Sequence, residues 1–417
     1  MNQAPGCRSF GGVRANLRKP HQNSPTPSDA PLQDPETPVM SLSRGQIKQI
    51  ENPIMNFDCP IYQPSLSGNE KKYVNECLDS SWISSKGRFV ADFETKFAAY
   101  TAVRYATSVT NGTTALHLAL LALGMSLGDE VIVPTLTYIA SVNAITYTGA
   151  TPVFVDSLPD TWQMDPDDVR RKITPQTRAI MVVHLYGHPC EMDSLVTIAK
   201  EHGVFLIEDC AEAFGTLYKG RHVGIFGDIA TYSFFGNKTI TTGEGGMVVT
   251  NDETLYDRSL RFKGQGLAKH RQYWHDVIGY NYRMTNICAA IGLAQLERAD
   301  EILSKKRQIA HWYSEALSDL PLTFHREVGD VRHSYWMCSV LTENREKRDQ
   351  LRDVLEHHGI ETRPVFFPIH TMPMYARKFQ RHPVAENLGW RGINLPSWPE
   401  IKQENVVRIV SIIRNSL

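Results

Sequence analysis

The segment around Lys238 combines residue types that could carry out carbonyl chemistry. Lys238 follows Phe234 and Phe235 and precedes a loop, rich in threonine and glycine, that ends at Gly246. A lysine held in apolar surroundings has a lowered pKa, and its neutral amine is a nucleophile. Most lysines, however, lie on solvated faces. This segment by itself therefore does not establish that Lys238 is a buried nucleophile rather than an ordinary exposed lysine.

Two carboxylates stand at the end of an apolar run. Residues 204–208 are typical of a buried strand, and Asp209 and Glu212 follow it directly. Ligands of parallel α/β sheets bind beyond the carboxyl ends of the strands, so an acid there is well placed to hold a cationic heterocycle. An acid that merely caps the next segment is the alternative, and the motif alone favours neither.

A polar turn opens directly into an apolar helix at residues 110–116. Gly112 and Thr113 lie at this junction, where free backbone N–H groups and the positive end of the helix dipole suit a phosphate. Threonine is also an ordinary helix cap, so this turn alone favours the simpler interpretation. The order along the chain, from this turn to the strand-end acid to the lysine before a glycine-rich loop, favours a binding site.

The elements that must position these groups follow a βα rhythm after Pro60. Apolar runs alternate with helical periods, which is typical of a parallel sheet covered by helices. The predicted strands are 130–134, 152–156, 179–184, 204–208, 229–234 and 246–250. The predicted helices are 69–78, 90–100, 114–123, 141–148 and 192–201, with a long helical stretch over 284–317.

Residues 1–54 differ in composition from everything that follows. Six prolines lie among serine, asparagine and glutamine between residues 20 and 38, with no apolar period, which predicts a disordered extension. Arginines without acids over the first 28 residues weakly suggest a transit peptide. The interpretation we favour is translation that begins downstream, at Met40 or Met55.

Composition excludes several classes of protein. The 417 residues carry a formal net charge of −1, which gives no global field for nucleic acid or an anionic membrane. No apolar run is long enough to span a bilayer. The seven cysteines are scattered, without a CxxC pair or a signal peptide ahead of them, which predicts a protein of the reducing cytoplasm.

Taken together, these motifs resemble the fold-type I pyridoxal phosphate enzymes, and within them the DegT/DnrJ/EryC1/StrS aminotransferases, which act on nucleotide-linked keto sugars. Other matching segments are 62–68, 82–87, 273–284 and 370–375. The resemblance covers the chain from about residue 61 to its end. It implies an α/β fold, with a mostly parallel seven-stranded sheet between helices in a large pyridoxal phosphate-binding domain (55–300) and a smaller C-terminal α+β domain (301–417).

The resemblance also implies roles for the three groups described first. Lys238 matches the lysine that binds pyridoxal 5′-phosphate covalently and moves the proton during transamination. Asp209 matches the carboxylate that keeps the pyridine nitrogen protonated, so that the ring can act as an electron sink. Glu212 stands where the family has Gln, Glu or His near the ring hydroxyl.

Further cofactor contacts come from the same resemblance. Gly112, Thr113 and the Ser233 hydroxyl match the phosphate cradle, and Tyr138 matches an aromatic residue that stacks on the ring face. Asn281 matches a residue that reaches the phosphate of the neighbouring subunit's cofactor. This last match implies a homodimer with composite active sites.

The resemblance implies a GDP-linked 4-keto-6-deoxy sugar and L-glutamate, the amino donor, as substrates, in the synthesis of bacterial O-antigen, lipopolysaccharide or a related surface glycan. His370 borders the sugar pocket in the family, although a lone histidine is more often structural. Arg283, with Arg363 and Arg391 as alternatives, could bind a carboxylate or the diphosphate.

No metal is expected at His184 and His188, because Gly187 and Pro189 prevent the helix that their spacing needs.

Three other functions stay open at this stage. A related sugar 3-dehydratase carries histidine in place of the lysine, and Lys238 argues against it. An aminotransferase acting on a dTDP-linked 4-keto sugar, or at C3 of the sugar, would keep the same motifs. A pyridoxal phosphate-sensing regulator would need a DNA-binding domain, for which the first 54 residues lack helical periods.

Overall fold

Nine strands lie between residues 105 and 250 in the computed structural model, which describes residues 57–376 and 379–417. The predictions made for residues 1–54 lie outside the described residues. The strands are β1 (Tyr105–Val109), β2 (Glu130–Pro134), β3 (Thr151–Val155), β4 (Thr177–Val183), β5 (Phe205–Asp209), β6 (Leu217–Tyr218), β7 (Arg221–His222), β8 (Ile229–Ser233) and β9 (Gly246–Thr250).

Seven of these strands pair in the order β1-β9-β8-β5-β4-β2-β3. Only β9 runs antiparallel to its neighbours, β1 and β8. The prediction of a mostly parallel seven-stranded sheet is therefore confirmed, and every strand predicted from the sequence lies within two residues of an observed one.

Nine helices surround this sheet or follow it. They are α1 (Glu70–Asp79), α2 (Arg88–Thr101), α3 (Gly112–Leu123), α4 (Ile139–Tyr147), α5 (Pro166–Lys172), α6 (Met192–His202), α7 (Glu253–Lys263), α8 (Asn286–Glu297) and α9 (Ala299–Ala316). The predicted helical stretch over 284–317 is divided into α8 and α9 at Arg298, whose φ of −112° leaves the helical region. No helix of the described residues has the length and apolar character that crossing a bilayer requires.

Alternate side chains of the strands pack on opposite faces of the sheet. Val131 and Val133 contact a core that α3 covers, whereas Ile132 contacts the core on the other face, which α6 covers. The period of two in a strand gives this alternation, and burial on both faces explains why the strands read as continuous apolar runs.

The rest of the chain builds a second core around a four-stranded antiparallel sheet. Helix α9 joins this second core to the large sheet, because Ile302 and Leu303 pack in a cluster with Tyr232 of β8, whereas Ile309 and Tyr313 pack in the second core. The domain boundary at 300 stays a prediction. The remaining elements are β10 (Thr323–Phe324), β11 (Val331–Arg332, paired with β6), β12 (Cys338–Leu341), α10 (Arg345–His357), β13 (Arg363–Pro364), α11 (Pro383–Arg391), β14 (Gly392–Leu395) and α12 (Gln403–Ser416).

Candidate active site

Lys238 lies in the segment that connects β8 to β9, and its N–H donates to the Phe235 carbonyl at 2.9 Å. The side chain is half-buried, and Nζ lies 4.0 Å from the centre of the Trp336 ring. Burial lowers the pKa of Lys238, while the carboxylates of Glu212 and Asp209 oppose this shift. The apolar surroundings that the sequence predicts are therefore present.

Two aromatic residues hold the backbone of the lysine segment. The Tyr62 hydroxyl donates to the Lys238 carbonyl at 2.7 Å, and the Trp336 indole N–H donates to the Asn237 carbonyl at 2.8 Å. Sequence reasoning assigned neither residue a role. Tyr62 lies in a segment that carried the resemblance, whereas nothing in the sequence around Trp336 indicates this contact.

Asp209 is the last residue of β5 and is only 4% exposed. Its carboxylate accepts hydrogen bonds from the Ser141 hydroxyl at 2.7 Å and from the Ala211 N–H at 3.0 Å. Burial raises the pKa of Asp209, and these two donors and the Lys238 charge lower it in part. A cationic partner would stabilise this buried carboxylate further.

Glu212 lies one turn beyond β5 and is also buried. Its carboxylate accepts the Tyr186 N–H at 2.8 Å, and burial raises the pKa of Glu212 to about 7. Tyr186 has a φ of 56°, which is uncommon for a residue with a side chain, and its buried ring packs against the rings of both Trp336 and Phe366. The strained turn at Tyr186 thus aims a backbone donor at Glu212.

The polar turn before α3, which we call the anion cradle, is the predicted phosphate site, and it offers free backbone donors. The Asn111 side chain caps the helix by accepting the Thr114 N–H at 2.9 Å, and within the described part of the chain the N–H groups of Gly112 and Thr113 have no partner. A Cβ on Gly112 would lie 2.7 Å from the Ser233 Cβ, so the turn and the end of β8 are in direct contact. These donors suit a phosphate.

The sheet register brings these groups to one edge. Asp209 pairs with Thr231, two residues before Ser233, and Ser233 pairs with Gly246, which also pairs with Val109 just before the cradle. The edge therefore offers anion donors at one end, a buried carboxylate at the other and an amine beside them. The donor set fits pyridoxal 5′-phosphate, whose phosphate, ring nitrogen and aldehyde match these three groups.

Three predicted residues lie near this edge but make no contact that defines a role. Tyr138 precedes α4 and is 56% exposed, with its ring centre 5.6 Å from that of Phe366. Asn281 is exposed, and its side chain accepts the Arg283 guanidinium at 3.2 Å. The cofactor role of Asn281 and the substrate role of Arg283 stay predictions.

His370 occupies a more enclosed place than a substrate contact would suggest. It is 5% exposed, Nδ1 lies 2.7 Å from the Thr135 hydroxyl, and Nε2 lies 3.3 Å from the Glu386 carboxylate. The two alternative arginines also have protein partners, since Arg363 pairs with Glu361 and Arg391 donates to the Thr342 carbonyl. The substrate role of His370 stays a prediction that requires one of its two contacts to break.

His184 and His188 flank a 3₁₀ turn, Leu185–Gly187, so they do not share a helix face. His184 instead groups with Glu208 and Cys210, whose candidate ligand atoms lie within 4.8 Å of one another. Glu208 already accepts three backbone N–H groups, and His184 Nδ1 accepts the Cys190 N–H at 3.1 Å. His184 Nε2 lies 3.1 Å from a Glu208 carboxylate oxygen, which places two of the three buried groups in direct contact.

The chain is similar to known aminotransferases both in sequence and in fold. Residues 64–414 match the sequence profile of the DegT/DnrJ/EryC1/StrS aminotransferase family. The chain is 68% identical over 354 residues to GDP-perosamine synthase of Escherichia coli O157:H7, covering 85% of this chain and 97% of that protein. It is 51% identical over 360 residues to GDP-perosamine synthase of Vibrio cholerae, covering 85% and 98%. Among solved structures, the PLP form of the putative sugar aminotransferase Spr1654 from Streptococcus pneumoniae is 28% identical with a TM-score of 0.82, covering 86% and 99%.

Proposed function

We propose that this chain, which belongs to the DegT/DnrJ/EryC1/StrS aminotransferase family, transfers the amino group of L-glutamate to GDP-4-keto-6-deoxy-D-mannose and so forms GDP-perosamine. The observation that carries the substrate is the 68% identity to a GDP-perosamine synthase over 97% of that protein's length. The observation that carries the chemistry is Lys238 beside two buried carboxylates at the edge of the sheet.

The cofactor in this proposal is pyridoxal 5′-phosphate, which supplies an electron sink for the carbanion that forms when a proton leaves the donor's α-carbon. The N–H groups of Gly112 and Thr113 and the Ser233 hydroxyl would bind its phosphate. Asp209, held by Ser141, would bind the protonated ring nitrogen. Tyr138 would cover one ring face, and Glu212 would lie near the ring hydroxyl.

Lys238 serves first as the anchor and then as general acid and base. Its lowered pKa favours the neutral amine, which is the form that attacks a carbonyl and accepts a proton. In the first half-reaction the Lys238 amine takes the proton from the α-carbon of glutamate. In the second half-reaction Lys238 returns a proton to C4 of the sugar, so the same group serves both substrates.

The second subunit and the cellular site belong to the same proposal. Asn281 would reach the phosphate cradle of the partner subunit, which makes the active form a homodimer. The six described cysteines are free thiols, five of them buried, as expected of a protein kept in a reducing cytoplasm.

The test is a product assay with the purified protein, pyridoxal phosphate and glutamate. GDP-4-keto-6-deoxymannose and dTDP-4-keto-6-deoxyglucose are offered separately, products are detected by mass spectrometry, and NMR locates the new amine. We expect the GDP sugar to be converted to its 4-amino product. Preference for the dTDP sugar, or an amine at C3, would contradict the substrate assignment, and no product from either sugar would contradict the reaction.

A further inference from the structure

A buried lysine outside the proposed reaction lies directly behind the Lys238 segment. Lys306, on α9, has no exposed surface. Its Nζ donates to the Trp336 carbonyl at 3.0 Å, to the Ser397 hydroxyl at 3.1 Å and to the Ser397 carbonyl. Within the described residues it forms no ion pair with a carboxylate, so neutral oxygens alone compensate this ammonium.

An ammonium compensated only by neutral groups is expensive to bury. Burial lowers the pKa of Lys306 to about 8, and the Cys338 thiol opposes this shift. An apolar side chain of the same length could fill this space at a lower desolvation cost. The position of Lys306 therefore calls for an explanation beyond packing.

Both aromatic residues that hold the lysine segment contact Lys306. Its Nζ lies 5.2 Å from the centre of the Tyr62 ring, within range of a cation–π interaction. The backbone of Trp336 is fixed at both ends, because its carbonyl accepts from Lys306 and its N–H donates to the Tyr186 carbonyl at 3.0 Å. Ser397, in turn, donates its N–H to the Ile61 carbonyl at 3.3 Å, next to Tyr62.

We propose that Lys306 is a positioning residue that fixes Tyr62 and Trp336, and that these two residues fix the Lys238 amine. The inference rests on the proposed role of Lys238. Tyr62 holds the Lys238 carbonyl, and Trp336 holds the Asn237 carbonyl and covers Nζ with its ring. Burial raises the pKa of Tyr62, so its hydroxyl keeps the proton that it donates.

The orientation of an attacking amine sets the rate of its reaction, and a displacement of about 1 Å can lower a rate by about a hundredfold. The rate at which Lys238 captures pyridoxal phosphate therefore reports the position of Nζ without requiring turnover. The full-length protein is freed of cofactor and mixed with pyridoxal 5′-phosphate, and capture is followed by absorbance. Borohydride trapping and peptide mass spectrometry then identify the lysine that reacted.

We expect Lys306→Met to slow capture by about tenfold to a hundredfold. Lys306→Gln keeps a neutral N–H donor and should recover part of the rate. Tyr62→Phe removes one hydroxyl only and should slow capture by a smaller factor. In the double variant the two effects should fall short of additive, because both residues act on the same segment. Lys172→Met is the matched control, since Lys172 also donates to a backbone carbonyl, that of Phe154, and should leave the rate unchanged.

A purely structural lysine would give a different result. Lys306→Met would then lower the melting temperature while folded protein captures the cofactor at the wild-type rate, which overturns the inference. If Lys306→Met does not fold, wild-type rates in both Lys306→Gln and Tyr62→Phe overturn it. Failure of the wild-type protein to capture the cofactor at Lys238 would instead contradict the proposed function itself.

Discussion

Two of the clusters of buried titratable groups in the described residues handle charge differently. The sheet edge holds Asp209, Glu212 and Lys238, which are groups of opposite charge. The second cluster, which we call the histidine cluster, consists of His188, His325 and His333, with ring centres 5.0 to 5.7 Å apart.

Within the described residues, no carboxylate lies within hydrogen-bond distance of a ring nitrogen of the histidine cluster, and burial favours the neutral form of each ring. His325 Nε2 lies 2.9 Å from the Thr161 carbonyl, and the Tyr335 N–H donates to His333 Nδ1 at 2.9 Å. Burial lowers the pKa of His325 to about 3 and lowers the pKa values of His188 and His333 as well. These rings pack on Trp162 and Tyr335 as aromatic side chains would.

This difference between the two clusters indicates which buried polar groups are functional. Each histidine of the cluster has a backbone partner for one ring nitrogen and, within the described residues, none for the other, and burial explains its lowered pKa. At the sheet edge, by contrast, Asp209 and Glu212 have raised pKa values and Lys238 has a lowered one, so each of these groups would gain from a further partner. Perturbed groups of this kind mark functional sites.

The largest expected effect comes from removing the amine. Lys238→Ala should lower the transamination rate by about a thousandfold or more, because anchor and proton carrier are lost together. The melting temperature should change little, because Lys238 makes no side-chain hydrogen bond in the described structure. Substantial residual turnover, with the half-buried Lys172 changed to alanine as the control, would contradict the assigned role.

The next effect concerns the buried carboxylate. Asp209→Asn keeps the shape and the bond from Ser141 but removes the charge that would hold a protonated ring nitrogen. We expect the turnover rate to fall by about a hundredfold to a thousandfold. The equivalent change in the second cluster, His325→Phe, should leave turnover near the wild-type value. Equal losses in the two variants would erase the distinction between the clusters.

A smaller effect is expected at the anion cradle. Gly112→Ala places a methyl group 2.7 Å from the Ser233 Cβ, so one side of the cradle must move. The dissociation constant for pyridoxal phosphate, measured by fluorescence, should rise by about tenfold or more. Gly236→Ala is the control, because a Cβ there meets no atom within 4 Å. A Gly112→Ala protein that binds the cofactor normally would place the phosphate elsewhere.

The smallest expected effect is on the pH dependence of the free energy of unfolding. A histidine whose pKa is lower in the folded state binds fewer protons there than in the unfolded state. Each such histidine therefore lowers the free energy of unfolding as pH falls below about 6.5, by about 1.4 kcal/mol per pH unit. Glu212 acts oppositely in the cofactor-free protein, because its raised pKa makes stability increase as pH falls from about 7 towards 4.5.

Urea unfolding of the cofactor-free protein at pH 6.5 and pH 5 separates the two contributions. The loss of stability on acidification should be smaller in His325→Phe than in wild type. In Glu212→Gln it should be larger. If His325→Phe shows the wild-type slope, then His325 does not stay neutral in the folded protein.

The sequence predicts the sheet and the groups at its edge because both are local signals. A strand ends and an acid follows within one residue at Asp209, and a turn opens a helix at Gly112. Strand β1 gave no such signal, because Tyr105–Val109 is short and contains Thr107 and Ser108, which are polar although the tertiary fold buries them. Helix α7 was missed as well.

The supports of the lysine segment could not be predicted for a related reason. Tyr62 and Trp336 contact residues 237 and 238 from distant parts of the chain, and no period or spacing links them. Tyr186 adopts a positive φ that its residue type does not announce. Such contacts are consequences of the tertiary fold, and they appear only once the two cores are assembled around α9.

The most direct measurement is to find which lysine binds the cofactor. The protein is saturated with pyridoxal 5′-phosphate, reduced with borohydride and digested, and the modified peptide is identified by mass spectrometry. We expect one modified residue, Lys238, and no stoichiometric label in Lys238→Ala. Modification at another lysine, or label spread over surface lysines with Lys238 unmodified, would contradict it.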